Sequence, residues 1–282
     1  MHVKMLDHEA VLSLLPDRPA DTHKGSYGRV LLLCGSVGYT GAAALAAMGA
    51  LRSGTGLVYL GVPQSIYSIE AAKLLEPVVF PLGEQDGMLG EACIPQILEK
   101  LKNMDAVLVG PGLGQSAGTF AVVKTVLEKF DGPVVVDADG INALSGHTDI
   151  LRGRKAVTVI TPHPGEFVRV GGEPDTDKLL AAEKLAKELG VVVVLKGHGT
   201  VITDGDTSYQ NPTGNPGMAV GGCGDVLAGM IVSLLGQGIP ALDASACAVW
   251  LHGKAGDLCA QNIGQYGMLP SDMLNVLPRL MK

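Results

Sequence analysis

The chain has 282 residues, of which 47% are apolar, and its formal net charge of −7 disfavours nucleic acid and anionic membranes as main partners. No run approaches the ~20 apolar residues that span a bilayer, and the N-terminus has no apolar core of signal-peptide length. The 5 cysteines lack CxxC spacing, which favours buried thiols over a disulfide or zinc framework. We therefore expect a soluble, cytoplasmic protein.

The predicted elements alternate between strands and helices along the chain. Short apolar runs such as residues 31–34 are typical of buried parallel strands. Strands are predicted at 31–34, 57–62, 106–110, 134–137, 157–161 and 191–195, with a hairpin over 201–209; helices are predicted at 5–15, 42–52, 65–74, 91–102, 120–130, 178–189, 226–235 and 241–261. This alternation predicts an α/β fold with a mostly parallel sheet covered by helices on both faces. Because no linker or repeat interrupts it, we expect one domain over residues 1–282.

Five loops that follow predicted strands carry polar groups. They cover residues 35–41, 110–114, 137–142, 161–166 and 196–200. In a parallel sheet these loops share the carboxyl edge, where ligands of open α/β sheets bind. We expect the glycine-rich segment 214–225 to face them.

That glycine-rich segment leads directly into a strongly apolar helix. Unpaired N–H groups and the helix dipole at such a junction favour an anion, above all a phosphate. Asp225 is itself an anion, so we interpret it as a general base that takes a proton from a hydroxyl beside the phosphate. The alternative is that Asp225 only caps the helix.

Side chains in the facing loops allow two interpretations each. Glu166 follows Pro162 and Pro164. Its carboxylate either contacts Mg²⁺-bound phosphate or the water shell of the ion, or it caps a helix at the surface. His163 projects from a loop, as a ligand contact or a solvated histidine. Lys196 either neutralises the charge of a bound phosphate, or its ammonium group only extends from the end of a buried strand into water. Asp137 orients water or Mg²⁺, or caps the next turn.

Common nucleotide and hydrolase motifs are absent. The sequence contains no GxxxxGK[ST], no GxGxxG after the first strand, no GxSxG and no HExxH. This disfavours simple NAD-dependent hydride transfer and favours phosphate handling without a P-loop.

Five motifs together closely resemble the ADP-dependent NAD(P)H-hydrate dehydratases. They are Asn215-Pro-Gly-Met-Ala-Val-Gly-Gly-Cys-Gly-Asp-Val-Leu-Ala-Gly229, Thr161-Pro-His-Pro-Gly-Glu166, Val136-Asp-Ala-Asp-Gly-Ile-Asn142, Gly110-Pro-Gly-Leu-Gly114 and Lys196-Gly-His-Gly-Thr200. The resemblance extends from about His23 to the C-terminus. It implies a ribokinase-like fold, and a repair reaction that returns hydrated NADH or NADPH (NADHX, NADPHX) to NAD(P)H while ADP is split into AMP and phosphate.

The resemblance also implies roles for individual residues. Asp225 would be the catalytic base and would contact the substrate. The implied nucleotide-binding residues are Lys196, Gly197, His198, Gly199, Thr200, Asn215, Pro216, Gly217, Met218, Ala219, Val220, Gly221, Gly222, Cys223 and Gly224. The implied substrate-binding residues are Ala42, Gly112, His163, Pro164, Gly165, Glu166 and Arg169, and Glu166 would also assist Mg²⁺. A homo-oligomer, a tetramer in many relatives, is implied too, whereas the epimerase domain that is often fused to this family is not expected.

Two other functions compete with this one. A ribokinase-like kinase of a small alcohol shares the Gly-x-Gly-Asp motif, but it would release ADP rather than AMP as its nucleotide product. A nucleotide-sensing module without catalysis would not need both Asp225 and Glu166 beside a phosphate.

Overall fold

The computed structural model describes residues 3–173 and 177–282. The strands within these residues are Val3–Lys4 (β1), Arg29–Leu33 (β2), Leu57–Pro63 (β3), Val78–Leu82 (β4), Glu84–Gln85 (β5), Met88–Leu89 (β6), Ala106–Val109 (β7), Val134–Val136 (β8), Thr158–Ile160 (β9), Val192–Leu195 (β10), Val201–Thr203 (β11) and Ser208–Gln210 (β12). Ten of them form one sheet in the order β1-β12-β11-β10-β9-β8-β7-β2-β3-β4, and β5 and β6 form a separate hairpin. The seven neighbouring strands from β10 to β4 in this order are parallel, and β11 is antiparallel to both of its neighbours.

Helices cover both faces of this sheet. They are His8–Leu14 (α1), Thr40–Arg52 (α2), Gln64–Lys73 (α3), Ile94–Leu101 (α4), Ala117–Lys129 (α5), Asp139–Ala143 (α6), Asp149–Arg152 (α7), Pro164–Arg169 (α8), Lys178–Leu189 (α9), Cys223–Gly236 (α10), Ala241–Ile263 (α11) and Pro270–Leu280 (α12). In the part of the chain described, no helix is both long enough and apolar enough to cross a bilayer.

Alternate residues of the central strands supply two separate cores. In β2, Val30 and Leu32 join the core that α2, α10 and α11 cover, whereas Leu31 and Leu33 join the core under α4, α5 and α9. This follows from the two-residue period of a strand, which directs successive side chains to opposite faces. The three-layer arrangement confirms the predicted α/β fold.

The predicted core elements are confirmed, and several peripheral ones were missed. Helix α9 has the predicted bounds, while α10 begins three residues earlier than predicted and so includes Asp225. Sequence analysis did not predict the edge strand β4, the β5–β6 hairpin, β1, or the helices α6, α7, α8 and α12. Residues 91–93 form a 3₁₀ turn rather than the start of the predicted helix 91–102.

Helices α2 and α10 approach each other to backbone contact, and glycines make this possible. A Cβ added at Gly229 of α10 would lie 2.1 Å from the carbonyl oxygen of Ala46, and one added at Gly49 of α2 would lie 2.5 Å from that of Val226. Because both helices begin at the carboxyl edge of the sheet, this packing fixes the distance between the loops that precede them.

Gly229→Ala is expected to destabilise the protein by about 2–3 kcal/mol, since the new methyl group meets main-chain atoms that cannot move aside. Denaturant unfolding measures this change. Gly153→Ala is the matched control: its φ is −80° and an added Cβ meets nothing closer than 3.9 Å, so we expect a change within about 0.5 kcal/mol. Equal effects of the two substitutions would contradict the close packing of α2 and α10.

Candidate active site

Five loops meet at the carboxyl edge of the parallel strands, as predicted. The N–H of Gly35 donates to the carbonyl of Pro111 at 2.8 Å, which joins the loops after β2 and β7. The N–H of Lys196 donates to the carbonyl of Pro162 at 2.9 Å and joins the loops after β10 and β9. The glycine-rich segment faces them, because a Cβ added at Gly224 would lie 3.5 Å from Nζ of Lys196.

Lys196 is the cation at the centre of this edge. Its Nζ lies 2.8 Å from Oδ1 of Asp137 and 3.8 Å from Oε2 of Glu166, and all three side chains are at most 21% exposed. Burial acts to lower the pKa of Lys196, but the charges of Asp137, Glu166 and Asp225 outweigh it and raise the pKa above its usual value. Lys196 is therefore a charged, fixed group rather than a side chain that extends freely into water.

Glu166 and His163 stabilise the start of α8 together. The N–H of His163 donates to Oε2 of Glu166 at 2.8 Å, and Nδ1 of His163 accepts from the N–H groups of Gly165 and Glu166. His163 thus caps a helix that was not predicted. Glu166 has the predicted capping role, but it is buried, with 4% of its surface exposed, so the surface interpretation is wrong.

Asp225 lies in the first turn of α10, whose N-cap is Gly222. The alternative that Asp225 is the cap is therefore wrong. Gly222 has a φ of +100°, a value that favours glycine. Among the described residues, the N–H groups of Gly221, Gly222 and Gly224 have no hydrogen-bond acceptor and remain available to an anion.

Asp225 has the pKa of a group that changes charge near neutral pH. Burial, together with the charge of Asp137, raises the pKa of Asp225 to about 7; Lys196 opposes this effect and Asp139 adds to it. A carboxyl group with this pKa can accept a proton efficiently at neutral pH.

Ala42 and Gly112, two of the predicted substrate contacts, touch each other. A Cβ added at Gly112, whose φ is +63°, would lie 2.8 Å from Cβ of Ala42 and 2.9 Å from that of Tyr39. Arg169 reaches the same edge, since its Nη1 donates to Oδ1 of Asn142 at 2.8 Å. The structure thus places these predicted substrate contacts at the same edge of the sheet as Lys196.

Two residues at this edge were missed by sequence analysis. Nζ of Lys178 lies 3.3 Å from the carbonyl of His198 and 3.4 Å from that of Gly199, and burial lowers the pKa of Lys178. Lys178 lies at the start of a charged amphipathic helix, where nothing in the sequence distinguishes it from solvent-facing lysines. Ala138 lies between Asp137 and Asp139 and has a φ of +49°. No pattern of residue types predicts that backbone strain.

Glu166 and Asp137 fit a magnesium ion that is held mainly by phosphate. Within residues 3–173 and 177–282, no group of three or more His, Cys, Asp or Glu side chains could hold a metal by itself. Mg²⁺ commonly keeps several waters and uses one or two carboxylates plus substrate phosphates. The oxygens of Glu166 already face the N–H of His163 and Lys196, so a contact through water suits this site better than direct ligation.

A family model and known relatives show which proteins this chain is similar to. The model of the NAD(P)H-hydrate dehydratase family matches residues 30–279. A bifunctional NAD(P)H-hydrate repair enzyme of Moorella thermoacetica is 44% identical over 277 residues, which are 96% of this chain and 52% of that protein. The chain therefore spans about half the length of such bifunctional relatives. The ADP-dependent (S)-NAD(P)H-hydrate dehydratase of Bacillus subtilis is 37% identical over 288 residues, which cover 100% of this chain and 99% of that one.

Solved structures agree with this comparison. The ADP/ATP-dependent NAD(P)H-hydrate dehydratase of Bacillus subtilis, co-crystallised with ATP and Mg²⁺, superposes with a TM-score of 0.85 at 35% identity, over 99% of this chain and 98% of that one. A ribokinase-like superfamily protein from Enterococcus faecalis gives a TM-score of 0.87 at 29% identity, over 99% of this chain and 95% of that one. The ribokinase-like fold is thereby confirmed, and the chain belongs to the NAD(P)H-hydrate dehydratase family.

Proposed function

We propose that this protein is an ADP-dependent dehydratase of the S-epimer of NADHX and NADPHX, which it returns to NADH and NADPH while ADP is split into AMP and phosphate. The observation that carries the proposal is Asp225, a partly buried carboxyl group with a pKa of about 7 beside unpaired glycine N–H groups. This combination suits transfer of a phosphoryl group to a hydroxyl.

The chemistry that we propose has two stages. Asp225 takes the proton of the ring hydroxyl, whose oxygen attacks the β-phosphorus of ADP, and AMP leaves. The carbon–oxygen bond of the phosphorylated intermediate then breaks, phosphate departs with the former hydroxyl oxygen, and loss of a ring proton restores the dihydronicotinamide. Phosphorylation is required because hydroxide is a poor leaving group, whereas phosphate is a good one.

The surrounding residues supply charge and position for this reaction. The N–H groups of Gly221, Gly222 and Gly224 stabilise negative charge as it develops on the transferred phosphoryl group. Lys196 keeps Asp137 and Glu166 in place through its ion pairs. Bound Mg²⁺ would neutralise phosphate charge, with Glu166 and Asp137 facing its water shell.

The hydrated ring and the nucleotide are assigned to opposite sides of Asp225. We place the substrate against Ala42, Gly112 and the start of α8, and ADP against residues 196–200 and the segment 215–224. The five cysteines are buried and free, which suits a reducing cytoplasm. We also propose that the protein forms an assembly of several copies.

Product analysis tests the proposal against the competing alcohol kinase. Purified protein is incubated with Mg²⁺, ADP and NADHX, and AMP, phosphate and NADH are measured. We expect the three to form in equal amounts and only when all reactants are present. AMP that forms without NADH, or no AMP at all, would rule out the dehydratase function, and only the absence of AMP would be compatible with the kinase.

The rate is expected to rise with pH and to level off above about 7, because Asp225 acts only when ionised and its pKa is about 7. The measurement is kcat/KM as a function of pH, which reports on ionisation of the free enzyme. A slope of one below neutrality and a plateau above it are expected. A flat profile from about pH 5 to pH 8 would contradict the assignment of Asp225 as the base.

A further inference from the structure

Asp257, which no motif singled out, binds the start of the glycine-rich segment. Its Oδ2 accepts from the N–H of Gly214 at 3.1 Å, and its Oδ1 accepts from Nδ2 of Asn215 at 3.1 Å. The other end of the Asn215 amide is also occupied, since its Oδ1 accepts from the N–H of Gly217 at 3.0 Å. Both polar atoms of the Asn215 side chain are therefore used within the protein.

The surface of α11 around Asp257 is shaped to receive this segment. A Cβ added at Gly253 would lie 2.2 Å from Oγ1 of Thr213, and one added at Gly256 would lie 2.3 Å from Sδ of Met218. Oγ1 of Thr213 also donates to the carbonyl of Trp250 at 3.0 Å. Residues 213–218 thus lie directly on the helix, and Asp257 supplies the charged contact.

Residues 219–221, which follow this segment, make few packing contacts with the rest of the protein. Ala219, Val220 and Gly221 are exposed, and a Cβ added at Gly221 would meet nothing within 4 Å. On one side this stretch is fixed by the first turn of α10, and on the other only by residues 213–218. Gly222 and Gly224 are held by the start of α10 itself. The position of the Gly221 N–H therefore depends on how firmly residues 213–218 are held on α11.

We propose that Asp257 and Asn215 form a clasp, defined by the three hydrogen bonds described above, that positions residues 219–221, and with them the N–H of Gly221, for the phosphates of ADP. Asp257 is a positioning residue, and the side chain of Asn215 acts through the clasp rather than on the nucleotide. The inference rests on the proposed function, because it concerns the nucleotide site of that reaction.

An exchange of the two side chains tests the clasp. Asn215→Asp places two carboxylates in contact, and Asp257→Asn removes the charge and leaves one of its two donors without an acceptor. In the double variant Asn215→Asp/Asp257→Asn, the carboxylate at position 215 accepts from Gly217 and from the amide at position 257. The oxygen of that amide accepts from Gly214, so all three hydrogen bonds are restored.

We expect each single substitution to weaken ADP binding by about 10- to 100-fold, the range for loss of a hydrogen bond to a charged group, and the double variant to recover most of that loss. Calorimetric titration with ADP and Mg²⁺ gives the affinity, thermal melting shows that each variant is folded, and the KM for ADP should change more than kcat. The control is Asp243→Asn, which removes a carboxylate on the same helix that accepts from the hydroxyl of Tyr209 and should leave ADP affinity unchanged.

The outcomes separate the clasp from the proposed function. Wild-type protein that does not bind ADP would overturn the proposed function itself. Wild-type protein that binds ADP, with single variants that bind equally well or a double variant no better than the worse single one, would overturn only the clasp.

Discussion

Asp225→Asn is expected to reduce the ADP-dependent formation of NADH by about 10³-fold, which lies within the usual contribution of a general base. The amide occupies the same volume but cannot accept the proton of the ring hydroxyl. We expect ADP affinity to change little, because the glycine N–H groups remain in place. The measurement is kcat under saturating NADHX and ADP, and residual activity above a tenth of wild type would contradict the role of Asp225.

The same substitution is expected to stabilise the folded protein at neutral and alkaline pH. The folded pKa of Asp225, about 7, lies above its ordinary value of 3.8. Stability linked to this group is therefore present at low pH and lost as pH rises through about 7. Because the amide of the Asp225→Asn variant does not ionise, thermal melting should show a gain over wild type above pH 7 and none below pH 3.8. No gain at any pH would show that burial does not disfavour the charge of Asp225.

Lys196→Met is expected to destabilise the protein by about 3–5 kcal/mol, because it leaves buried carboxylates without their cation. The side chains of Asp137 and Glu166 are only 2% and 6% exposed. The substitution also removes the positive charge that lowers the pKa of Asp225. At neutral pH the base is then largely protonated, so we expect the rate to fall and its pH profile to shift towards alkaline values.

The control for Lys196→Met is Lys102→Met. Lys102 pairs with Glu99 on the surface, where the two side chains are 66% and 71% exposed, so its loss should cost less than about 1 kcal/mol. Denaturant unfolding and pH–rate profiles distinguish the two variants. An unchanged pH profile in folded Lys196→Met would contradict the electrostatic coupling between Lys196 and Asp225.

The architecture of the site was predictable because its loops follow strongly apolar strands. Runs such as 31–34 and 191–195 indicate parallel strands, and parallel strands place their following loops at one edge. The glycine-rich junction at 214–225 likewise indicates an anion site from residue types alone. The family resemblance then implied a role for each residue, and the substrate and nucleotide contacts stay predictions.

The hydrogen bonds that hold the site were not predictable, because they join residues far apart in the sequence. Asp257 lies 42 positions from Asn215, and no motif in the sequence distinguishes it from Asp243, the other carboxylate of the same helix. The short helix α8 was hidden by Pro162, which precedes it, and by Pro164, although a proline at the first helical position is favourable. The pKa of Asp225 depends on burial and on neighbours from other loops, which spacing along the chain does not report.

Phosphorylation of the ring hydroxyl is tested most directly by tracing its oxygen atom. NADHX that carries ¹⁸O in that hydroxyl is converted with ADP and Mg²⁺ in unlabelled water, and the released phosphate is analysed by mass spectrometry. Because the hydroxyl oxygen attacks the β-phosphorus and leaves with it, we predict one labelled oxygen in each phosphate. Unlabelled phosphate together with full recovery of NADH would contradict phosphorylation of the hydroxyl and remove the role assigned to Asp225.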